Sequence, residues 1–192
     1  MKASALTVVP CRLPEIRAFV ETHHYSHSVN GVKVSHCFAV QHDSRLVGGV
    51  IFGTMATTAW KKFANAEAKV LELRRLVLLD EAERNSESRV VGAALRWLKK
   101  NTVVEVVVSY ADPAYGHSGT IYKAANFTYV GISGKDTGFR DPQTGRVYHS
   151  RALRTKYKGE YKPFVKRLRA QHERGELERI PLPGKYCFVY RF

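Results

Sequence analysis

Residues 71–100 read LELRRLVLLDEAERNSESRVVGAALRWLKK, and this stretch decides the fold. Its first nine residues are apolar at alternate and then at successive positions, which predicts a strand that ends buried on both faces. A polar break follows over residues 80–88. Ser86 or Ser88 is predicted to cap a helix with apolar residues at helical spacing as far as Leu98. The stretch therefore predicts a strand, a turn and a helix, as in layered α/β folds.

Small residues stand at the joint between this strand and this helix, in Arg89-Val90-Val91-Gly92-Ala93-Ala94. In one interpretation, the free N–H groups of the first helical turn bind an anion such as a pyrophosphate, which can approach the backbone closely. In the other, the glycine only lets the helix pack close to a sheet. The six residues alone leave both interpretations open.

Length and composition set limits on the class of protein. The chain has 192 residues, 44% of them hydrophobic, which suits one compact domain and excludes a disordered protein. No apolar run approaches the length of a membrane span, and the N-terminal residues lack the core of a signal peptide. Cys11, Cys37 and Cys187 are too few and too scattered for a disulfide framework or a zinc site. We therefore expect a cytoplasmic protein with no membrane partner and no bound structural metal.

The charge is strongly positive and unevenly distributed. The formal net charge is +14, and residues 146–192 contain 13 Lys or Arg against four Glu. Positive charge at this density attracts polyanions, of which nucleic acid is the usual one. Solubility alone would not require such clustering.

The remaining segments alternate between strand and helix patterns. They predict a mixed sheet with helices on its faces. The sequence also predicts a long functional or mobile loop over residues 133–146. The other predicted strands are 6–10, 36–42, 45–52, 103–108, 127–132, 147–153 and 185–192, and the other helices begin at Pro14 or span 120–125 and 160–174.

Three polar or aromatic groupings could serve a site. Residues 22–28, THHYSHS, place His23 and His27 at a spacing that could bind a metal, or they form a solvated loop. Trp60 and Phe63 stand among lysines and could stack on an unpaired base or cover the edge of a core. Asp112 follows a buried strand, at the end where ligands bind in open α/β sheets.

Two of these segments resemble the GNAT acyltransferase superfamily. Arg89-x-x-Gly92-x-Ala94 resembles its acyl-CoA-binding loop. Tyr122, followed by Asn126-Phe127, resembles the last-helix pattern, with Asn126 in place of a glycine; both tolerate the left-handed conformation. The resemblance implies an α/β fold with a GNAT-like mixed central sheet flanked by helices. It also implies a catalytic domain at 1–155 and, at 156–192, a basic helix and a final strand packed on the same domain. The residues expected to bind the cofactor are Val77, Leu78, Arg89, Val91, Gly92 and Ala94.

A narrower resemblance is to the Mom family of phage proteins. It rests on His24-Tyr25-Ser26-His27, on Tyr110-Ala111-Asp112-Pro113 and on Tyr122. It implies conversion of adenine in double-stranded DNA to N6-carbamoylmethyladenine, which protects phage DNA from host restriction enzymes. His24, Tyr25, Asp112 and Tyr122 would then be catalytic, with His24 and Asp112 lining one cleft. The residues expected to contact nucleic acid are Ser26, His27, Trp60, Lys61, Lys62, Arg140, Lys156 and Lys158.

The identity of the acyl donor follows from the product rather than from any motif. Acetyl transfer alone cannot supply a CH2 link and an extra nitrogen, so glycyl-tRNA is the preferred donor and acetyl-CoA the alternative. An iron site built from His, Tyr and Asp is a further hypothesis. Two other functions remain open: a generic GNAT N-acetyltransferase that acts on a small-molecule or protein amine, and a non-catalytic nucleic-acid-binding module.

Overall fold

The computed structural model describes residues 1–56, 58–156 and 158–192, and the chain divides into two compact units. The main unit comprises Met1–Ala111, His117–Gly131 and Tyr186–Phe192. The inserted unit comprises Asp112–Gly116 and Ile132–Lys185.

A seven-stranded mixed sheet forms the main unit, with strand order β1-β2-β3-β4-β5-β10-β6. β4 and β5 are parallel, and the pairs β1–β2, β2–β3, β3–β4 and β5–β10 are antiparallel. This confirms the predicted α/β class. The strands are β1 (Thr7–Cys11), β2 (Val34–His42), β3 (Arg45–Gly53), β4 (Val70–Leu78), β5 (Val106–Ala111), β6 (Thr128–Ile132) and β10 (Tyr186–Arg191).

Two helices cover opposite faces of this sheet. α1 (Leu13–His23) packs in a cluster with Cys37, whereas α2 (Ser86–Asn101) packs in a cluster with Phe38. Cys37 and Phe38 are neighbours on β2, and adjacent side chains of a strand point to opposite faces. A short helix, α3 (Thr120–Ala124), leads into β6. No helix in the described part of the chain is both long and apolar enough to cross a membrane.

The predicted strands 36–42 and 45–52 form β2 and β3, which pair as a hairpin. Its two turn residues, Asp43 and Ser44, both have left-handed backbone angles, with φ of 49° and 65°. This is the conformation of a two-residue turn that matches the twist of the flanking strands.

The start of α2 differs from the prediction. The cap residue is Asn85, in the left-handed conformation, and its side chain makes no capping hydrogen bond. Ser86 is the first helical residue and is fully buried, and the Ser88 hydroxyl donates to the Asn85 carbonyl. The prediction that Ser86 or Ser88 caps the helix was wrong, because the chain turns into the helix one residue earlier.

The inserted unit contains a three-stranded antiparallel sheet and a helix. The strand order is β8-β7-β9, and Phe139, Leu153 and Leu168 form its buried core. The predicted loop over residues 133–146 was wrong, because β7 lies within it and is paired on both sides. The predicted strand 147–153 ends at His149, and β9 was not predicted. The elements are β7 (Asp136–Arg140), β8 (Val147–His149), α4 (Pro163–Glu173) and β9 (Glu178–Leu182).

Candidate active site

β4 and β5 separate in the middle of the main sheet. Their paired positions run from Val70 opposite Val106 to Leu73 opposite Ser109, and β4 continues to Leu78. β4 also departs from regular pairing with β3, because Phe52 pairs with Leu73 and Ile51 with Arg75. Arg74 is therefore an extra residue on β4, and bulges of this kind re-aim side chains beside active sites.

Arg75 ties the segment after α1 to this irregular part of β4. Its Nε donates to the Ser28 carbonyl at 3.0 Å, and its Nη1 donates to the Arg74 carbonyl at 2.7 Å. Both bonds fix the guanidinium in place. The segment that carries His24, Tyr25 and Ser26 is therefore held beside the sheet.

His24 is buried, and its hydrogen bonds determine which ring nitrogen carries the proton. The Ser26 backbone N–H donates to Nδ1 at 3.1 Å, and the Ser26 hydroxyl lies 2.8 Å from the same nitrogen. A backbone N–H can only donate, so Nδ1 is the unprotonated nitrogen of the neutral imidazole and Nε2 carries the proton. His24 is thus arranged as a hydrogen-bond donor rather than as the first acceptor of a proton.

The charge state of His24 is set by its surroundings. Burial, with smaller contributions from Arg75, His117 and His27, lowers the pKa of His24 to about 4. The ring is therefore neutral at neutral pH.

This depressed pKa predicts a pH-dependent stability. Because the unfolded chain takes up the His24 proton near pH 6.5 and the folded protein only near pH 4, the contribution is complete above about pH 6.5 and is lost as the pH falls towards 4. The difference in Tm between the parent protein and His24→Asn should therefore shrink from pH 7 to pH 4.5. His23→Asn, at an exposed position, is the matched control; a difference that stays constant for His24→Asn would contradict the assignment.

Tyr25 lies between two imidazole rings. Its ring centroid is 4.2 Å from that of His24 and 5.1 Å from that of His117. His117 was not predicted as a site residue. It lies in a short segment between Gly116 and Gly119, which both have left-handed φ angles.

Tyr122 projects from α3 into the core of the main unit. Its ring contacts Phe127 and Phe188, with centroids 5.7 and 5.4 Å away. Burial raises the pKa of Tyr122, partly opposed by contact with the Ser109 side chain on β5. Asn126 has φ of 63°, so it takes the left-handed conformation that the family pattern requires at this helix end. Because its pKa is raised, Tyr122 is a neutral phenol that can donate a proton.

Glu72 is a second site residue that the sequence analysis missed. It lies on β4 and pairs with Arg74 at 2.8 Å, with side chains only 15% and 20% exposed. Its negative charge contributes to the raised pKa values of Tyr110 and Tyr122, so it lies close enough to influence both. No clear signal was available in the sequence, because the same strand also carries the charged residues Arg74 and Arg75.

Asp112 belongs to the inserted unit and directly follows β5 along the chain. Its Oδ1 accepts from the Ala114 N–H at 3.1 Å, and its Oδ2 lies 2.7 Å from the Lys185 Nζ. The side chain is only 12% exposed. These contacts hold the carboxylate in one orientation. That Asp112 and His24 line one cleft stays a prediction.

A cavity of about 330 Å³ adjoins α2 and α3 in the main unit. Arg89 and Gly92 of the Arg89-x-x-Gly92-x-Ala94 segment both line it. A Cβ placed on Gly92 would meet only the flexible end of Arg96, at 3.5 Å. Within the described part of the chain, no sheet residue lies within 4 Å of that Cβ, so the interpretation that Gly92 serves close packing was wrong. The lining residues are Ser88, Arg89, Gly92, Leu95, Arg96, Ala124, Ala125, Asn126 and Tyr190.

The prediction of free backbone N–H groups in residues 89–94 needs a correction. α2 begins at Ser86, so Gly92 and Ala94 lie in its second and third turns rather than at its open end. Only the first four N–H groups of a helix lack a partner within it, so those of Gly92 and Ala94 are not free donors. Val91 and Ala94 are buried in the core, and Val77 and Leu78 pack in clusters on different faces of the sheet.

Replacing Gly92 by Ala tests what this glycine does. Glycine inside a helix is unfavourable relative to alanine by about 0.5–1 kcal/mol, and the added methyl group meets only Arg96. We expect a slightly higher Tm, measured by calorimetry. A lower Tm would show that the glycine serves packing after all. Ala93→Ser, at a neighbouring position, controls for a small added group on α2.

The predicted nucleic-acid contacts lie in both units. In the main unit, Ser26 is engaged with His24, and the His27 Nδ1 donates to the Glu21 carbonyl. Trp60 and Phe63 pack against a buried cluster, which favours the core-edge interpretation. Lys61 lies over the Trp60 ring, and Lys62 is exposed. In the inserted unit, Arg140 pairs with Glu178, Lys156 lies over the Tyr161 ring and Lys158 is exposed.

The described residues lend no support to the hypothesised iron site. Among residues 1–56, 58–156 and 158–192, no group of three or more His, Cys, Asp or Glu could hold a metal ion. The His23 ring contacts Phe19 instead, at a centroid distance of 4.5 Å.

Sequence comparisons give two matches. The model of a family described as the Mom protein family matches residues 5–192. A protein of Escherichia phage Mu, named methylcarbamoylase mom, is 33% identical over 111 residues. That match covers 57% of this chain and 44% of the phage Mu protein, so this chain aligns with less than half of it.

Structural comparisons identify the fold. A Bacillus subtilis acetyltransferase in complex with CoA aligns with a TM-score of 0.56 at 9% identity, over 97% of this chain and 99% of that one. A GNAT family acetyltransferase from Elizabethkingia anophelis with acetyl-CoA bound aligns with a TM-score of 0.50 at 7% identity, over 98% and 99%. The chain therefore has the GNAT acetyltransferase fold that the sequence predicted.

Proposed function

The chain belongs to the Mom protein family, and on that premise we propose that it is an acyltransferase that acts on the N6 amine of adenine in DNA. The name of the phage Mu relative, a methylcarbamoylase, supports the kind of group that is added, and the proposed product is N6-carbamoylmethyladenine. The structural observation that carries the proposal is the buried, neutral Tyr122 phenol next to the strand β5, which separates from β4. Protection of phage DNA from restriction in the host cell would be the consequence.

Asp112 is proposed to be the general base. Adenine N6 is a poor nucleophile because its lone pair is delocalised into the ring. A carboxylate that accepts a proton as attack proceeds offsets this weakness. The Ala114 N–H and Lys185 orient Asp112, and a fixed orientation is what such a group requires.

We propose that Tyr122 and His24 donate a proton or a hydrogen bond during the reaction. Tyr25 is proposed to position the target base. The Tyr122 phenol would protonate the leaving group or stabilise the oxyanion. His24 would donate through Nε2–H, consistent with the bond that Ser26 makes to Nδ1. Tyr25 would hold the target base, which must leave the DNA stack to be reached.

The cavity beside α2 is proposed to hold the acyl donor. Arg89 offers a positive charge there, and Gly92 leaves room for a close approach. Binding of CoA or acetyl-CoA by proteins of this fold supports acetyl-CoA as one candidate. When bound, such a donor supplies an activated acyl group.

Glycyl-tRNA is our preferred donor because its atoms account for the product. Transfer of the glycyl group to N6 releases the tRNA hydroxyl and gives N6-glycyladenine. The free glycyl amine then attacks C6 through a five-membered ring, and the C6–N6 bond breaks. The former N6 becomes the terminal amide nitrogen of a carbamoylmethyl group, so no oxidation or metal is needed.

Reconstitution with purified, metal-stripped protein tests this proposal. Duplex DNA is incubated with glycyl-tRNA or with acetyl-CoA, and the nucleosides are analysed by mass spectrometry. We expect carbamoylmethyladenine with glycyl-tRNA only. Acetylation of a small-molecule or protein amine from acetyl-CoA, with unchanged DNA, would instead favour a generic N-acetyltransferase, which the structural neighbours also support.

A further inference from the structure

The inserted unit replaces what is usually a short connection. β6 and β10 are neighbours in the main sheet, yet β6 ends at Ile132 and β10 begins at Tyr186. Connections between neighbouring strands are typically about two to five residues long. The chain instead builds a unit here with its own sheet and its own buried core. A separate unit of this size indicates a separate task.

The positive charge of the inserted unit is concentrated in one segment. Residues 150–169, here called the basic segment, contain eight Lys or Arg and a single Glu, so they carry half of the net charge of +14. Outside it, the inserted unit carries six Lys or Arg and six Asp or Glu, so these charges cancel, and some of them form ion pairs, as Arg140 does with Glu178 and Arg174 with Glu176. The excess positive charge therefore lies in the basic segment and not on the three-stranded sheet.

Contacts within the basic segment hold it as one surface. The Arg169 Nη1 donates to the Leu153 carbonyl at 3.1 Å, and Leu153 and Leu168 pack in one core. Lys156 and Arg169 both lie over the ring of Tyr161, at 5.2 and 4.7 Å from its centroid. The residues before α4 are thus folded against the helix.

The first half of α4 exposes cations to solvent. Val165 and Leu168 are buried, whereas Lys166 and Arg167, between them in sequence, are exposed. Arg151 and Arg154 are exposed on the turn that packs against α4. Exposed cations gathered on one surface suit contacts to phosphates, which position a nucleic acid without reading its sequence.

We propose that the basic segment is the surface that holds the phosphate backbone of duplex DNA. The choice of DNA as the partner rests on the proposed function. The positive charge of the basic segment and its position in the inserted unit are observed independently of that function. Such a surface raises the local concentration of target DNA and carries the salt dependence of binding.

A charge-matched pair of variants tests the proposal in the full-length protein. K166Q/R167Q removes two exposed cations from the basic segment. K99Q/K100Q removes two exposed lysines from the end of α2 and causes the same change in net charge. Affinity for a duplex oligonucleotide is measured by fluorescence anisotropy from 50 to 300 mM salt, and Tm confirms that each variant is folded.

Counterion release sets the expected size of the effect. If both cations contact phosphates, K166Q/R167Q should lower the slope of log K against log salt by about 1.8 and weaken binding about tenfold or more at 0.1 M salt. K99Q/K100Q should leave the slope close to that of the parent protein. Equal, small effects of the two variants would overturn the proposal.

A second set of titrations distinguishes DNA from tRNA as the bound polyanion. It also tests this proposal separately from the proposed function. The same titrations with folded tRNA show which nucleic acid the surface serves, and a loss confined to tRNA would overturn the assignment to DNA. Binding is measured without any acyl donor. A lowered DNA slope in a protein that modifies no adenine would therefore sustain this inference and refute the proposed function.

Discussion

Asp112→Asn should reduce adenine modification by about 10²- to 10⁴-fold, the range that general acid–base groups contribute. Asparagine keeps the size of the side chain and an oxygen for the Ala114 N–H, but it cannot accept the N6 proton. DNA affinity should change little, because the excess positive charge lies elsewhere, in residues 150–169. Rates are measured by single-turnover nucleoside analysis, and affinity by anisotropy.

Two controls make this result decisive. Asp136→Asn removes an exposed carboxylate from the same unit and should leave the rate near that of the parent protein. Lys185→Gln breaks the ion pair but keeps the Asp112 carboxylate. It therefore distinguishes the effect of losing the carboxylate from the effect of losing the ion pair. If Asp112→Asn lost DNA affinity or stability while its single-turnover rate was unchanged, Asp112 would be a structural residue.

Tyr122→Phe should lower kcat by about 10²- to 10³-fold with little change in KM, because a proton donor or oxyanion donor acts mainly in the transition state. The substitution removes only the hydroxyl and keeps the ring contacts with Phe127 and Phe188. Stability should therefore be preserved. The measurement is steady-state kinetics with saturating donor.

Tyr110→Phe provides the matched control for this variant. Tyr110 is a half-buried tyrosine on β5 whose hydroxyl contacts Cys187, and burial raises its pKa, as the same cause raises that of Tyr122. It is not proposed to meet the substrate. Equal losses in the two variants would mean that Tyr122 acts through the packing of the core.

The main sheet was predictable because its segments carry strong local patterns. The apolar runs of β4 and β5 and the Asp43-Ser44 turn determine strand and hairpin from short windows of sequence. β7 and β9 carry no such pattern. β7, DTGFR, has one apolar residue besides its glycine, and β9 includes Pro181, which an edge strand tolerates. Pairing within the inserted unit, rather than local preference, makes them strands.

The candidate site was predictable where a family pattern covered it. His24, Tyr25, Asp112 and Tyr122 came from resemblance, and their roles stay proposals. Glu72 and His117 belong to no local pattern.

Both missed residues become recognisable only in three dimensions. Glu72 pairs with Arg74 at the bulge of β4, and the ring of His117 meets Tyr25, more than ninety positions earlier in the sequence. The role of Gly92 could likewise be decided only from its surroundings, since the sequence allowed both packing and ligand binding.

Mass spectrometry of nucleosides tests the central claim most directly. DNA is isolated from cells that express this chain or its Asp112→Asn variant and is digested to nucleosides. The account predicts N6-carbamoylmethyladenine in DNA from cells with the parent chain and its near absence with the variant. Unmodified adenine in both samples, from cells whose soluble protein still binds DNA, would contradict it.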